Sequence, residues 1–478
     1  MLDEDNYYEG DDDIKSLIER FESMRREGVY SYLDVDDYIR LIEYYMAGDR
    51  PEGALSVCVA AEKVHGKVPE IQLRNAKILR YQGKFAESYE LLQSIDMVIR
   101  DNFEYWLVLA ALNFALKKEF DPKECFDRVV KLSKTQIEPE AREEVFSDIG
   151  VLLEHENNYE LALYYYKKAI KDMPNAIEFY FRAGVCYENM GYRDEGIACY
   201  TKAIDIDPLS ELAWYNYGVA CSHSGMYEKA IEAYDYAIAL DPIFYDAIFN
   251  KGNCYGYMGN FADAMACYQE YLDIFPDSFS AQCYIGECHL RLGDTAKALE
   301  YFDNVLKRDK SCGEAWYGKA MVYDTMNKPK EAISSLRRAV QSNPEDEASW
   351  YHLGRILSDM ERYWESIAAY ERAIELNKYK YVYWLLLAMD YFKIDFNYKQ
   401  SIEIVKQGLE YLPDHTIMLF ALSGMYCVEG NEDECRKNFL KAYNTEPELY
   451  EYFLNIAPLT RAPAEVKVLI GRQRRKKK

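Results

Sequence analysis

The sequence predicts an all-α fold, a solenoid built from stacked antiparallel helix pairs. The first observation behind this prediction is that residues 211–244 and 245–278 match in kind without a gap, at a period of 34 residues. A fixed period of this length is typical of stacked-repeat proteins. The second observation is that each repeat holds two amphipathic stretches of about 13 residues with helical spacing. Glycine between the two stretches favours a left-handed helix end and an antiparallel return.

Seven repeats follow one another without a gap. They begin at Glu143, Ile177, Glu211, Tyr245, Phe279, Gly313 and Glu347. Less regular repeats begin near Asp34, Pro69, Phe103, Tyr381 and Thr416. The repeat at Phe103 fits worst, because three residues are inserted around 120–123, and the repeat at Tyr381 carries one extra residue near 395–398. Twelve repeats therefore cover residues 34–449.

Small and large residues alternate at fixed places in these repeats. The small ones in the first helix are Gly150, Gly184, Gly218, Gly252, Gly286, Ala320, Gly354 and Ala388, and the large ones include Trp214, Trp316, Trp350, Trp384, Tyr234, Tyr268 and Tyr370. Small against large at matching heights predicts helices that interlock. Prolines such as Pro208, Pro242 and Pro276 then end the second helix, because proline has no N–H and clashes with the preceding turn.

The order of these residues resembles the tetratricopeptide-repeat pattern: Trp, then Gly or Ala four residues later, then Tyr, Gly, Tyr or Phe, Ala, Tyr or Phe, Ala and Pro. The resemblance covers 416 of the 478 residues, and Glu211–Phe244 fits it nearly throughout. It implies a right-handed superhelix whose first helices line a concave face. It also implies a surface that holds other proteins rather than one catalytic activity.

The sequence divides into five segments. These are an acidic N-terminal segment with a short helix over 1–33, degenerate repeats over 34–142, a regular array over 143–449, a capping helix over 450–465 and a basic disordered tail over 466–478. The short helix is predicted from IKSLIERFESM, where apolar residues recur at helical spacing. A cap is expected because an open solenoid end exposes apolar surface.

Charge narrows the class of partner. The formal net charge is −24, with −6 on residues 1–33, +7 on residues 459–478 and −25 on the residues between. A field of this sign repels phosphate backbones, so we expect no nucleic acid on the repeat body. The first residues, MLDEDNYYEGDDD, lack the basic and apolar regions of a secretory signal, and no apolar run is long enough to span a bilayer. These observations predict a cytoplasmic protein without a membrane partner.

Residue patterns typical of catalysis or metal binding do not stand out. The six histidines are scattered over the repeats, and none is placed for a nucleophile–base arrangement. Cys283, Cys288 and His289 do not have the spacing of a metal site, and the cysteines fit small apolar positions in the helix seams. No glycine-rich phosphate loop occurs outside the repeat turns. We therefore predict a protein that is not an enzyme and needs no cofactor or metal.

The family resemblance points to a peptide-binding groove. In tetratricopeptide proteins the second, fifth, sixth, ninth and twelfth or thirteenth places of the first helix line the concave face. Those places give Tyr215, Asn216, Asp246, Phe249, Asn250, Asn253, Tyr257, Tyr317, Asp324, Tyr351, His352 and Arg355, with Glu178, Arg182 and Glu188 upstream. Such a groove is aromatic and acidic, and it predicts a protein partner that offers a neutral or basic peptide segment.

The tetratricopeptide family has two subtypes of groove that can be compared with this sequence. Asn216 and Asn250 share one register, and their amides suit the backbone of an extended peptide, although two solvated asparagines explain the pattern equally simply. The carboxylate-clamp subtype, which grips acidic C-termini, requires basic residues where this chain has Tyr215, Phe249, Ser280 and Tyr284. The clamp is therefore incomplete.

The final residues, GRQRRKKK, leave three interpretations open. The tail is a solubilising end, a contact for RNA or another polyanion, or a segment that folds back onto the acidic groove. The sequence thus predicts a non-catalytic scaffold or adaptor that binds a peptide or helix of a partner. The alternative is a regulator tethered to RNA or another polyanion through its tail. A homo-oligomer is compatible with the sequence and is not required by it.

Overall fold

A computed structural model describes residues 12–27, 32–139, 141–394 and 398–476. These residues form two compact units, Met1–Pro242 and Ile243–Lys478, which we call the N-terminal and C-terminal units. Over the described residues the chain is built from α-helices, short 3₁₀ helices and turns, without a β-strand. The predicted insertion near 395–398 falls largely on residues 395–397, outside the described residues.

Helix α1 spans Asp12–Glu27, and twelve helix pairs follow it, six in each unit. The first helices of the pairs are α2 Val35–Ala47, α4 Pro69–Tyr81, α6 Phe103–Ala115, α8 Arg142–His155, α10 Ile177–Asn189, α12 Glu211–His223, α14 Tyr245–Tyr257, α16 Phe279–Arg291, α18 Gly313–Thr325, α20 Glu347–Asp359, α22 Tyr381–Lys393 and α24 Thr416–Glu429. The second helices are α3 Pro51–His65, α5 Phe85–Ile99, α7 Pro122–Gln136, α9 Tyr159–Asp172, α11 Arg193–Ile206, α13 Tyr227–Leu240, α15 Phe261–Ile274, α17 Thr295–Arg308, α19 Pro329–Ser342, α21 Tyr363–Leu376, α23 Tyr398–Tyr411 and α25 Glu432–Thr445.

Within each unit the helices stack in chain order. The first helix of a pair packs on its own second helix, and that second helix packs on the first helix of the next pair. The predicted fold class, an all-α solenoid of helix pairs, is confirmed. The proposed division of the repeats near residue 142 stays a prediction.

In eleven of the twelve pairs the turn between the two helices contains a residue with a positive φ, and the turn between α22 and α23 lies partly outside the described residues. The residues with a positive φ are Asp49, Gly83, Lys117, Asn157, Gly191, Gly225, Gly259, Gly293, Asn327, Glu361 and Gly430. Glycine adopts this left-handed conformation without a steric penalty, and asparagine and aspartate tolerate it better than most other residues. The glycines predicted to lie in these turns therefore adopt the left-handed conformation that was predicted for them.

Close contact between the two helices of a pair depends on one small residue. A Cβ placed on Gly354 of α20 would lie 2.7 Å from Cε1 of the Tyr370 ring on α21. The same conflict arises between Gly218 and Tyr234, where the distance is also 2.7 Å. The aromatic ring therefore occupies the space that a side chain on the facing helix would need.

Alanine replaces this glycine where the facing residue is aliphatic. Ala320 and Leu336 share one buried cluster in the C-terminal unit, and Ala76 and Leu92 share another in the N-terminal unit. A methyl group and a branched aliphatic side chain together fill about the volume that glycine and an aromatic ring fill elsewhere. These pairs thus keep the close packing of a protein interior with either combination.

The C-terminal end differs from its prediction. The sequence predicted one capping helix over 450–465 and a disordered tail over 466–478. The structure instead has a 3₁₀ turn at Pro447–Tyr450, a short helix α26 at Glu451–Leu454 and a 13-residue helix α27 at Ala464–Lys476.

Helix α27 forms because its apolar side is buried. Val466 and Ile470 are buried in the cluster that also contains Phe439 of α25 and Phe453 of α26. The neighbouring helix α24 is apolar on nearly all sides; α26 packs on α24, whereas α27 packs on α25. The prediction of a disordered tail was therefore wrong for residues up to 476, and residues 477–478 lie outside the described part. No helix in the described ranges has the length and apolar character needed to cross a lipid bilayer.

We predict that the substitution Gly354→Ala destabilises the protein by about 1–3 kcal/mol, because the new methyl group overlaps the Tyr370 ring. Adding Tyr370→Leu should recover part of this loss, since the pair then resembles Ala320 and Leu336. Urea unfolding of the wild type, the two single variants and the double variant measures the coupling free energy between positions 354 and 370. We expect it to be at least about 1 kcal/mol. The control is Gly256→Ala, where the nearest atom would be 3.9 Å away. Additive effects of the two substitutions would contradict the steric explanation.

Candidate functional site

The C-terminal unit has a concave surface, a cavity of about 1000 Å³ over α16, α18 and the start of α20. Its lining combines aromatic rings, carboxylates and thiols. These residues include Phe279, Tyr284, Phe302 and Tyr317; Glu287, Glu314, Asp324 and Asp346; Arg291; Cys283 and Cys312; and His352. A smaller cavity of about 510 Å³ adjoins it and is lined by Asn253, Tyr257, Phe261 and Tyr268, together with Tyr284, Glu287 and Arg291. Because the two cavities share three residues, we call them together the groove.

The helices present the same positions to the groove. In both α16 and α18 the lining residues are the first, second, fifth, sixth, ninth, twelfth and thirteenth of the helix. These spacings place side chains on one face of an α-helix. They also include the register from which the candidate binding residues were taken.

The structure brings only part of the candidate set to the groove. Asn253, Tyr257, Tyr317, Asp324 and His352 line it. Asp246, Phe249, Asn250, Tyr351 and Arg355 belong to the same unit and lie on α14 and α20 beside these residues. Tyr215 and Asn216 lie on α12 and Glu178, Arg182 and Glu188 on α10, all in the N-terminal unit. The predicted asparagine ladder would join the two units and stays a prediction.

Several groove residues were missed by the sequence analysis as binding candidates, among them Tyr284, Glu287, Arg291 and Glu314. These four occupy the register positions used for the neighbouring repeats. Applying that register to the repeats at Phe279 and Gly313 without exception would have found them.

The two asparagines of α14 are tied to the helix pair that carries them. The Tyr268 hydroxyl donates to Oδ1 of Asn253 at 2.8 Å, and Nδ2 of Asn253 donates to Oδ1 of Asn250 at 3.3 Å. The hydrogen bonds fix the orientation of the Asn253 amide at the wall of the smaller cavity. An oriented amide is better suited to a peptide backbone than a mobile one, since less side-chain freedom is lost on binding.

An aromatic cluster forms the junction of the two cavities. Tyr268 and Tyr284 stack with ring centroids 5.3 Å apart, and Phe249 meets Tyr284 edge-on at 5.6 Å. Tyr284 nevertheless keeps 38% of its surface exposed, and Tyr257 is 70% exposed at the rim. Burial raises the pKa of the Tyr284 phenol, so the hydroxyl is protonated at neutral pH and can donate to a ligand.

The charge of the larger cavity is mainly negative. Its one basic lining residue, Arg291, forms an ion pair with Glu287 at 3.2 Å. Asp324 is paired with Arg355 of α20, and Asp346 accepts hydrogen bonds from the first amides of that helix. Glu314, in the first turn of α18, is exposed.

The half-buried phenol of Tyr317 lies close to these carboxylates. The pKa of Tyr317 is raised to about 12, first by burial and then by the carboxylates of Glu287 and Asp346. A cation in the cavity would therefore meet carboxylates from several directions.

His352 lies between two tyrosine rings at the end of the larger cavity. Its ring contacts Tyr317 and Tyr351 edge-on, with centroid distances of 5.6 and 4.9 Å. Its Nδ1 is buried without a hydrogen-bond partner among the described residues. Burial, together with the nearby Arg355 guanidinium, lowers the pKa of His352 to about 4. The ring is therefore neutral at pH 7 and adds no positive charge to the groove.

The described residues contain no group of three or more His, Cys, Asp or Glu side chains arranged to hold a metal ion. The twelve cysteines form no disulfide there, and ten of them are buried.

Parts of the chain match the tetratricopeptide-repeat family. Family models described as tetratricopeptide repeat match residues 177–208 and 347–379, 211–243, 249–311 and 289–353. Among curated proteins, none matches this chain.

Several solved structures are similar to parts of the chain. The MamA protein is 28% identical, with 35% of this chain and 91% of that chain covered and a TM-score of 0.33. YrrB, described as a tetratricopeptide-repeat protein with an unusual peptide-binding site, is 20% identical, with 38% and 95% covered and a TM-score of 0.32. A tetratricopeptide-repeat protein from Parabacteroides merdae is 14% identical, with 56% and 99% covered and a TM-score of 0.40.

We predict that His352 makes the folded state sensitive to mild acid. Its usual pKa of 6.5 falls to about 4 on folding, so between these values the unfolded chain binds a proton that the folded chain does not. Stability must then fall as the pH is lowered through this window, by up to about 1.4 kcal/mol per pH unit.

The measurement is the free energy of unfolding from urea titrations between pH 7 and pH 4. The variant His352→Phe keeps an aromatic ring without the titrating group, so its stability should fall less steeply than that of the wild type. Parallel curves for wild type and His352→Phe would show that His352 titrates alike in both states.

Proposed function

Because the chain is a tetratricopeptide-repeat protein, we propose that it is a non-catalytic scaffold whose groove binds a basic peptide segment of another protein. The observation that carries this proposal is the pairing of aromatic rings with carboxylates along one wall. Four carboxylates face the larger cavity, and two of them, Glu287 and Asp324, are paired with Arg291 and Arg355. The free groove thus has an excess of negative charge that a basic ligand would neutralise.

Arginine and lysine side chains match this lining in two ways. Their charged ends pair with carboxylates, and an arginine does so with two parallel hydrogen bonds. Their charged groups also stack over tyrosine faces, where the ring quadrupole attracts a cation. Tyr284 and Tyr317 lie beside Glu287 and Glu314 in the same cavity, so both kinds of contact are available to one side chain.

The rest of the peptide would be held by less specific contacts. Tyr257 and Tyr284 offer exposed ring surface with a hydroxyl, which suits a binding surface in contact with water. Asn253 offers an oriented amide to the peptide backbone. We place this activity in the cytoplasm, since twelve cysteines without a disulfide suit a reducing compartment.

The test uses labelled decapeptides of mixed sequence with net charges of about +4, 0 and −4, chosen so that ion pairing should dominate the ranking. Fluorescence anisotropy with the full-length chain should show the tightest binding for the basic peptides. The double substitution Glu287→Gln with Glu314→Gln should weaken that binding about tenfold, the loss expected for two partly exposed ion pairs.

The matched control is Glu300→Gln with Glu371→Gln, which removes the same charge from exposed positions on second helices of the same unit. This control should bind within about twofold of the wild type, because distant exposed charges are screened. Equal losses in both double variants would mean that net charge alone attracts the peptide. A preference for acidic peptides would reject the proposal outright.

A second candidate function is supported by helix α27. Lys467, Arg472, Arg474 and Arg475 are exposed on it, and only Glu465 opposes them among the acidic residues of the helix. A cluster of this kind suits RNA or another polyanion, as the alternative derived from the sequence requires.

We expect any such binding to be strongly dependent on salt. Neutralising four phosphates of single-stranded RNA should reduce affinity on the order of tens-fold between 50 and 200 mM salt. Filter binding with poly(U) tests this in the intact chain and in a chain that lacks residues 472–478. Retention of the RNA affinity after truncation would reject the tail as the polyanion site.

A further inference from the structure

Two cysteines that are distant in the sequence meet in the floor of the groove. Cys283 is the fifth residue of α16 and is buried, with 7% of its surface exposed. Cys312 is half-buried and is the residue that precedes the first turn of α18. Both thiols line the larger cavity, and Cys312 packs against the buried cluster of side chains that contains Cys283. Cys283 lies on α16 and Cys312 caps α18, so a bond between them would join the first helices of two neighbouring helix pairs.

The two thiols have different chemical environments. Cys312 occupies the N-cap position of a 13-residue helix, with an extended backbone at φ −65° and ψ 101°. The partial positive charge of a helix N-terminus stabilises a thiolate. The hydrogen bond from the Cys283 thiol lowers the pKa of Cys312 to about 7, whereas the same bond, together with burial, raises the pKa of Cys283. One sulfur is thus a nucleophile that small solutes can reach, and the other is a protonated thiol beside it.

We propose that Cys283 and Cys312 are a peroxide-oxidised dithiol that forms a reversible disulfide in the floor of the groove. The Cys312 thiolate attacks one oxygen of hydrogen peroxide, which breaks the O–O bond and gives a Cys312 sulfenic acid and hydroxide. The Cys283 sulfur then attacks the Cys312 sulfur, and the S–O bond breaks with release of water. Two thiols and one peroxide become one disulfide and two waters. A low-molecular-weight thiol reverses the reaction by thiol–disulfide exchange.

The disulfide would alter the groove because it shortens a hydrogen-bonded contact to a covalent bond of about 2.05 Å. It draws the start of α18 toward α16, and Tyr284, Glu287 and Glu314 are carried on these two helices. The cavity between them should narrow and hold a peptide less well. This consequence rests on the proposed function, whereas formation of the disulfide does not.

The chain contains an internal control for the chemistry. Cys427 of α24 and Cys435 of α25 are also hydrogen-bonded, and the bond lowers the pKa of Cys427. These thiols are buried, with 6% and 0% of their surface exposed. They lie among apolar side chains of the cluster that also contains Phe439 and Phe453. If access decides reactivity, this pair should stay reduced under conditions that oxidise the first.

The experiment treats the full-length reduced chain with hydrogen peroxide, blocks the remaining thiols with N-ethylmaleimide and maps the peptides by tandem mass spectrometry. We expect a 283–312 cross-link that dithiothreitol removes, with at least about tenfold less oxidation of the 427–435 pair. Cys283→Ser should abolish the cross-link and leave a sulfenic acid on Cys312 that dimedone traps. Cys312→Ser should leave Cys283 unmodified.

Three results would overturn the proposal. They are a wild-type chain without the 283–312 cross-link, equal oxidation of the two pairs, and dimedone labelling of Cys283 in the Cys312→Ser chain. The +4 decapeptide supplies a separate readout, since peroxide should weaken its binding to the wild type and not to Cys312→Ser. A peptide that binds neither reduced form would reject the proposed function and leave the disulfide result standing.

Discussion

In six helix pairs of this protein the two helices approach each other at one close contact, between a glycine of the first helix and an aromatic ring of the second. A side chain at Gly354 would collide with the ring of Tyr370 at 2.7 Å, so the approach of the two helices is limited by that position. Where the facing residue is Leu336, the space allows Ala320. Because the summed volume changes little, each pair keeps a similar geometry although its residues differ. The pairs can then stack in chain order within each unit.

The groove follows from this regular stacking. When adjacent first helices have the same orientation, the same positions of each helix face the same side, which is what α16 and α18 show. The groove-facing positions carry aromatic rings and carboxylates rather than further apolar residues. The packed helix pairs therefore tolerate different side chains where they face each other. The composition of the groove surface does not depend on which of these side chains are present.

The sequence is informative about the framework and less so about the surface. The 34-residue period predicted the helix pairs closely, and the left-handed turn at Gly225 or Gly259 followed from the need for a positive φ. The missed groove residues Tyr284 and Glu287 occupy the predicted register, although they were not among the binding candidates. Helix α27 was missed because its charges suggested disorder, whereas two apolar side chains at helical spacing were enough to hold it against α25 and α26.

The contact between Cys283 and Cys312 is of another kind. It joins the middle of one first helix to the residue before the next, so it does not correspond to one repeat period and no pattern in a single chain reveals it. Only the packed helices bring these two sulfur atoms together. The polar features of the groove in general depend on such contacts between repeats, such as the pairing of Asp324 with Arg355.

The central claim is that the face formed by α14, α16, α18 and α20 is the binding surface for a basic segment. Amide hydrogen exchange of the full-length chain, with and without a saturating +4 decapeptide, tests it without altering the protein. We expect slower exchange in α16, α18 and the first turn of α20, with unchanged exchange in α24 and α27. Protection confined to the N-terminal unit, or no protection with a peptide that binds, would contradict the claim and place the binding surface elsewhere.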